Sequence, residues 1–267
     1  MNCLVVACFF AICLTAWGWN YDNRGEDWPG ICESGIEQSP INLSKGLSKV
    51  NSDLNAKVLF SGLKTPNSTG NFNDHNYEIE GNFGKLIWSR NNTNQTLFME
   101  NFHFHSPSEH TIGKKYYDLE MHTLLKNSSK NGTTVGVLGI VFKIGDFNLF
   151  LEEVISANND YINVNYSKVL KGADKLDSFY NYEGSFTTPP CKQSINWIVW
   201  AEIQELSEDQ YKFFYNRWAG DKGFAGGNGN NREVQPLYGR TLYYYGKDDS
   251  SFLLGLSSLL LLNFIWT

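Results

Sequence analysis

From Asn101 to Leu124 the chain reads NFHFHSPSEHTIGKKYYDLEMHTL, and its apolar and polar positions fall into two alternating runs joined by a polar segment around Gly113. In Phe102-His103-Phe104-His105 the two phenyl rings and the two imidazoles occupy alternate positions. A strand sends successive side chains to opposite faces, so this run predicts a strand with both rings on a core and both histidines on the other face. Tyr117 to Leu125 predicts the next strand, with Glu120, His122 and Leu124 on one face.

The same reading extends strands over Tyr77 to Ile79, Lys85 to Trp88, Thr134 to Ile144, Ser194 to Ile203 and Thr241 to Tyr245, all rich in β-branched and aromatic residues and bounded by Gly or Asn. Helical spacing appears at Phe147 to Ala157 and at Ser207 to Arg217, the latter opened by the cap signal Ser207-Glu208-Asp209. The fold class expected is mainly β, with short peripheral helices. Residues 1–18 are apolar and uncharged and read as a signal peptide; they lack the usual basic start, and a buried N-terminal helix is the alternative. Residues 249–267 form a hydrophobic tail, short for a bilayer span and with no basic stop signal after it. It reads as a GPI-attachment signal, with a tail anchor or a membrane-bound helix as alternatives. Between them residues 19–248 form one domain. No linker or repeat divides it, and the Gly-rich stretch Gly223 to Asn231 reads as a surface loop.

Chemistry enters with the histidines. Four of the five in the chain lie between Asn101 and Leu124. Three neutral imidazoles, His103, His105 and His122, converging from two strands suit Zn2+, whose fourth tetrahedral position then stays open for water. Half-exposed surface histidines are the plainer reading of His103 and His105 alone. Glu120, on the face of His122, can take the second N–H of a ligating ring, or it is a solvated carboxylate. A net charge of −6 without a basic stripe argues against nucleic acid as a partner. If residues 1–18 are removed, Cys3, Cys8 and Cys13 leave with them, and Cys32 and Cys191 remain as a candidate long-range disulfide. Seven glycosylation sequons, at Asn42, Asn67, Asn91, Asn94, Asn127, Asn131 and Asn165, fit an exported glycoprotein; Asn42 sits among apolar neighbours and reads as the least accessible.

The pattern Phe102-His103-Phe104-His105, Pro107-Ser108-Glu109-His110 and Leu119-Glu120-Met121-His122 resembles the metal-binding core of the α-class carbonic anhydrases. Further similarity lies in Gln38-Ser39-Pro40-Ile41-Asn42, in Gly184 to Cys191 and in Asn231-Arg232 with Gln235-Pro236-Leu237, so it spans nearly all of residues 19–248. The resemblance implies a large, mostly antiparallel central sheet and a zinc enzyme, secreted or surface-anchored, that interconverts carbon dioxide and bicarbonate through a zinc-bound hydroxide. It implies zinc on His103, His105 and His122, Glu109 orienting a gatekeeping Thr187, a structural His110, and a Cys32–Cys191 disulfide. It also implies an apolar carbon dioxide pocket of Leu124, Val137, Phe186 and Trp197 beside Thr188, and His75 as a proton shuttle with Asp74 beside it. Phe186 departs from the leucine common at its position, and its larger ring either narrows the pocket or alters inhibitor affinity without touching zinc. A catalytically silent recognition domain and a mineral-matrix protein are the competing classes. The first typically lacks a zinc histidine, whereas all three are present; the second calls for long acidic or Gly-Asn repeats, which the chain lacks.

Overall fold

The computed structural model describes residues 18–50, 54–60, 65–72, 75–90, 92–129, 132–156, 161–170 and 176–246. Residues 1–17 of the segment read as a signal peptide, the tail at 249–267, Asp74 and the sequon residues Asn91 and Asn131 therefore lie outside the described residues. Among those described, no helix is long and apolar enough to cross a membrane.

The strands are β1 (Asn42–Leu43), β2 (Lys49–Val50), β3 (Asn55–Phe60), β4 (Thr65–Phe72), β5 (Tyr77–Arg90), β6 (Thr93–His105) and β7 (Thr111–Ile112). They continue with β8 (Leu119–Lys126), β9 (Thr134–Ile144), β10 (Tyr161–Val164), β11 (Phe179–Ser185), β12 (Gln193–Trp200), β13 (Gln204–Leu206) and β14 (Tyr243–Tyr245). Three short helices accompany them: α1 (Ile31–Ser34), α2 (Leu149–Ile155) and α3 (Glu208–Tyr215). One large sheet runs β10-β4-β5-β6-β8-β9-β12-β11-β14-β2, with β3 also on β5 and β13 also on β9. Pairing is antiparallel except at β9–β12, β9–β13 and β14–β2. The chain thus has the mainly β fold expected, and its parallel pairs join segments separated by long connections, as parallel pairing requires.

The alternation read from sequence decides which face of the sheet each side chain meets. Phe102, Phe104, Met121 and Leu125 are fully buried in the larger core, against Phe150 of α2 and Phe214 of α3. Each such ring contributes about 1.5–3 kcal/mol by leaving water. A smaller apolar cluster on the other side gathers Ile41, Val137, Val141, Tyr182, Trp197 and Val199.

Several boundaries differ from the sequence reading. The runs Tyr77 to Ile79 and Lys85 to Trp88 are one strand, β5, interrupted only by a bulge between Glu80 and Gly84; buried Phe83, 4.8 Å from Phe102 ring to ring, pins the intervening residues. The strand expected to reach Ile203 stops at Trp200, and the chain bends before resuming as β13. Helix α2 begins only at Leu149, because the Asn148 side chain accepts the N–H groups of Phe150 and Leu151. Helix α3 begins where its cap signal falls, with Ser207 and Gln210 forming a reciprocal capping box. Strands β3, β4, β10 and β11 were not expected. The Gly-rich stretch is not wholly at the surface: Asn230 and Asn231, together with Arg232, are fully buried. Cys32 and Cys191 form a disulfide that closes 159 residues of chain. Arg232 donates to the Cys32 and Ser39 carbonyls and to Gln38 Oε1 on the same N-terminal segment.

Candidate active site

The register of β6 against β8 brings the imidazoles together: His103 lies opposite His122, and His105 opposite Glu120. Ring centroids are 5.0 Å apart for His103–His105, 5.4 Å for His103–His122 and 4.6 Å for His105–His122. One nitrogen from each of the three lies within 4.8 Å of the others. His105 and His122 are buried and His103 is partly so, which leaves no room for the surface-histidine reading.

Hydrogen bonds fix which nitrogens are free. His105 Nδ1 donates to the Asn230 carbonyl at 2.7 Å, and its Nε2 is buried with no hydrogen-bond partner. His122 Nε2 donates to Glu120 Oε1 at 2.9 Å, leaving Nδ1 bare. Burial, reinforced by the neighbouring imidazoles, holds the His103 pKa well below its ordinary value, and burial takes His105 to about 4 and lowers His122. All three rings are therefore neutral at pH 7, the form that coordinates metal. A second group, His110, Glu120 and His122, is also close enough to hold an ion. Its polar atoms are already committed to one another, so the first group is the one whose donor set fits a metal.

Glu120 is fully buried, which excludes the solvated carboxylate. Its Oε2 accepts the backbone N–H groups of Glu109 and His110 at 2.9 and 2.8 Å, and its Oε1 accepts from His110 Nδ1 at 2.7 Å as well as from His122. Burial alone would raise its pKa, but the electrostatic pull of the His110 and His122 ring N–H groups and the hydrogen bonds they donate together hold it well below the usual carboxylate range. His110 is anchored at its other nitrogen by the Tyr182 hydroxyl at 2.7 Å.

Glu109 is also fully buried, and burial pushes its pKa up to about 7 against the pull of His122, the Thr187 hydroxyl and the Arg232 N–H. Its Oε1 accepts that N–H at 2.8 Å, while Oε2 closes no hydrogen bond of normal geometry. Thr187 follows β11 in a tight turn closed by Phe186 N–H to the Lys192 carbonyl and by Cys191 N–H to the Thr188 carbonyl.

A cavity of about 30 Å3 opens beside the imidazoles, lined by His103, His122, Leu124, Val137, Phe186, Thr187, Thr188 and Trp197. It has room for a molecule of very few atoms. Apolar side chains make most of its wall, and the Trp197 ring lies 4.8 Å from His122. His75 is not among the lining residues. It precedes β5 and stacks on Trp19 at 3.7 Å between centroids.

Asn230 is the site residue that sequence reasoning missed. Its carbonyl orients His105, its Oδ1 accepts the Ser106 N–H at 2.8 Å, and its Nδ2 donates to the carbonyls of Phe104 at 2.9 Å and His75 at 3.0 Å. Nothing in a Gly-Asn loop signals this, since the decisive contact uses the backbone.

Fold and site together define a large-sheet protein with a three-imidazole centre of the metal-binding kind beside a small apolar cavity. The model of the eukaryotic-type carbonic anhydrases matches residues 20–246, and the chain belongs to that family. It is 30% identical over 220 residues to alpha carbonic anhydrase 4 of Arabidopsis thaliana, covering 80% of this chain and 77% of that one. It is 28% identical over 254 residues to a carbonic anhydrase of Pectobacterium atrosepticum, covering 90% and 96%. Among solved structures, the α-carbonic anhydrase of Thermovibrio ammonificans, in complex with the inhibitor sulfanilamide, superposes with a TM-score of 0.68 at 28% identity, covering 85% of this chain and 98% of that one. The protein is thus an enzyme of the carbonic anhydrase class, a lyase.

Proposed function

We propose that the chain hydrates carbon dioxide reversibly to bicarbonate and a proton, with His103, His105 and His122 holding Zn2+. The observation that carries this is the buried, partnerless Nε2 of His105 beside Nδ1 of His122, which makes no hydrogen bond, on neutral rings next to an apolar-walled cavity that His103 and His122 line. Bound there, zinc supplies a Lewis acid that lowers the pKa of water to about 7, a property of which carbonic anhydrase is itself the standard example. Glu120 holds His122 in the tautomer that presents Nδ1, and the Asn230 carbonyl does the same for Nε2 of His105. Thr187 donates its proton toward Glu109, which leaves its lone pairs as acceptors that would orient the nucleophile the metal would supply. Leu124, Val137, Phe186 and Trp197, with Thr188 at the rim, seat carbon dioxide, which has no charge to grip. His75 relays the product proton to solvent.

The test is zinc content and stopped-flow carbon dioxide hydration on the full chain and on His122→Ala. One zinc per chain, with metal and activity both lost in the variant, is the expected result; a fully loaded wild type without hydration activity overturns the hydration reading, and a zinc-loaded His122→Ala overturns the site assignment. For His75→Ala, slower turnover in weak buffer that imidazole restores is expected, and unchanged turnover removes His75 from the pathway.

An extracellular location is supported by the disulfide and the sequons. Asn94 and Asn127 are exposed at hairpin ends, whereas the Asn42 side-chain carbonyl is taken by Thr111 Oγ1 and the Lys114 N–H. Expression through a secretory pathway with glycopeptide mapping should find glycan on Asn94 and Asn127 and none on Asn42. The apolar tail at 249–267 supports membrane attachment. A GPI link predicts release of the protein from membranes by a phosphatidylinositol-specific phospholipase.

A further inference from the structure

Strand β5 carries a carboxylate to the zinc-site side of the sheet that the chemistry above does not use. Tyr77 and Ile79 are fully buried in the larger core, so the intervening Glu78 points to the opposite face, the one occupied by His103 and His105. In the β5–β6 register Glu78 lies directly opposite His103, and Glu80 lies opposite Asn101. Directly opposed side chains have β-carbons about 4.5–5.5 Å apart. Glu78 is half-buried and Glu80 exposed. Lys126, whose charge reaches Glu78, is itself paired with Glu100 at 3.3 Å. This flank of the site therefore carries two carboxylates, Glu78 and Glu80, beyond the Lys126–Glu100 pair.

We propose that Glu78, seconded by Glu80, is a charge filter: it disfavours anions at the three-histidine centre and leaves the approach of neutral carbon dioxide unaffected. The inference rests on the zinc reading above. Carbon dioxide has no net charge to be repelled, whereas bicarbonate and small inhibitory anions carry one negative charge toward the same flank. The chemical class discriminated against is the monovalent anion, and for the reaction the consequence is easier bicarbonate departure and weak inhibition by anions.

The test replaces zinc with Co2+ in the full chain and titrates thiocyanate by the visible absorption of the metal, a readout independent of turnover. Charges of this kind separated by roughly 8–10 Å near a protein surface alter anion affinity by about 3- to 10-fold. Glu78→Gln should tighten thiocyanate binding by that factor at about 0.01 M ionic strength, and Glu80→Gln by less. Both gains should vanish near 1 M salt, where screening acts within about 3 Å. Unchanged thiocyanate affinity of Co2+-loaded Glu78→Gln at low salt overturns the filter while leaving the metal site intact. A wild-type chain that binds no Co2+ overturns the zinc reading and the filter together.

Discussion

Strands β6 and β8 have two faces made from alternate residues of the same short segments, and the faces follow opposite rules. On one, Phe102, Phe104, Met121 and Leu125 are held by contact alone, and any side chain of similar shape and volume serves. On the other, His105, His122 and Glu120 are as deeply buried, but nearly every polar atom has designated partners, and the exceptions, His105 Nε2 and His122 Nδ1, are the atoms that would hold the metal on the reading proposed above. Apolar burial is tolerant because it is non-directional. Polar burial is exacting because each unpaired atom costs free energy on its own.

The comparison is tested most severely at Glu120. Glu120→Ala leaves His110 and His122 without their shared acceptor, together with two backbone N–H groups, and should destabilise the protein by about 3–5 kcal/mol in urea unfolding. Glu120→Gln, nearly isosteric, should fold and lose about 10- to 100-fold in zinc affinity by competition with a chelator. If Glu120→Ala costs under about 1 kcal/mol, the polar face does not depend on its designated partners. Phe104→Ala should cost about 3–5 kcal/mol through a cavity, yet the folded fraction should keep one zinc per chain by metal analysis. Loss of zinc there would show that the faces are not separable.

Acid should act on one face only. In the metal-free chain His105 titrates near 4 when folded and near its ordinary 6.5 when unfolded. Between those values the unfolded state binds more protons, so stability falls as pH drops from 6.5 to 4, by about 3 kcal/mol for this group. His103 and His122 act in the same direction. Glu109, raised to about 7 by burial, runs the other way between pH 7 and 4.5, so three imidazoles work against one carboxyl. Urea midpoints of chelated protein that do not move from pH 7 to pH 4.5 would contradict this. The smallest effect is expected at Phe186→Leu, which removes ring volume from the cavity wall. Affinity for an aromatic sulfonamide should change by about 2- to 5-fold, with zinc content unaltered, in a direct binding titration.

How far the sequence could be read follows from the same contrast. The strands of the site were legible because Phe102, His103, Phe104 and His105 alternate in chemistry as well as position. Strand β4, with Pro66, Asn67, Gly70 and Asn71 in eight residues, shows no such period. It forms because Tyr77 to Glu80 of β5 offer it an edge, as at Thr69 opposite Glu80 and Phe72 opposite Tyr77. The bulge in β5 was hidden because Gly81-Asn82 reads locally as a turn, and only packing of Phe83 carries the strand through it. The histidines announce themselves by side-chain type, whereas Leu124, Val137, Phe186 and Trp197 read locally as ordinary core and only the family resemblance marks them as a pocket. Asn230 does not, because what it offers His105 is a peptide carbonyl that any residue possesses.

That carbonyl also imposes a schedule on biosynthesis. His105 and Asn230 are 125 residues apart in the chain. At about 5–20 residues per second, a ribosome takes roughly 6–25 s to travel from one to the other. Throughout that interval the nascent chain holds its three imidazoles without the contact that selects the tautomer of His105. On the zinc reading proposed above, loading in the productive geometry waits until Asn230 has been made.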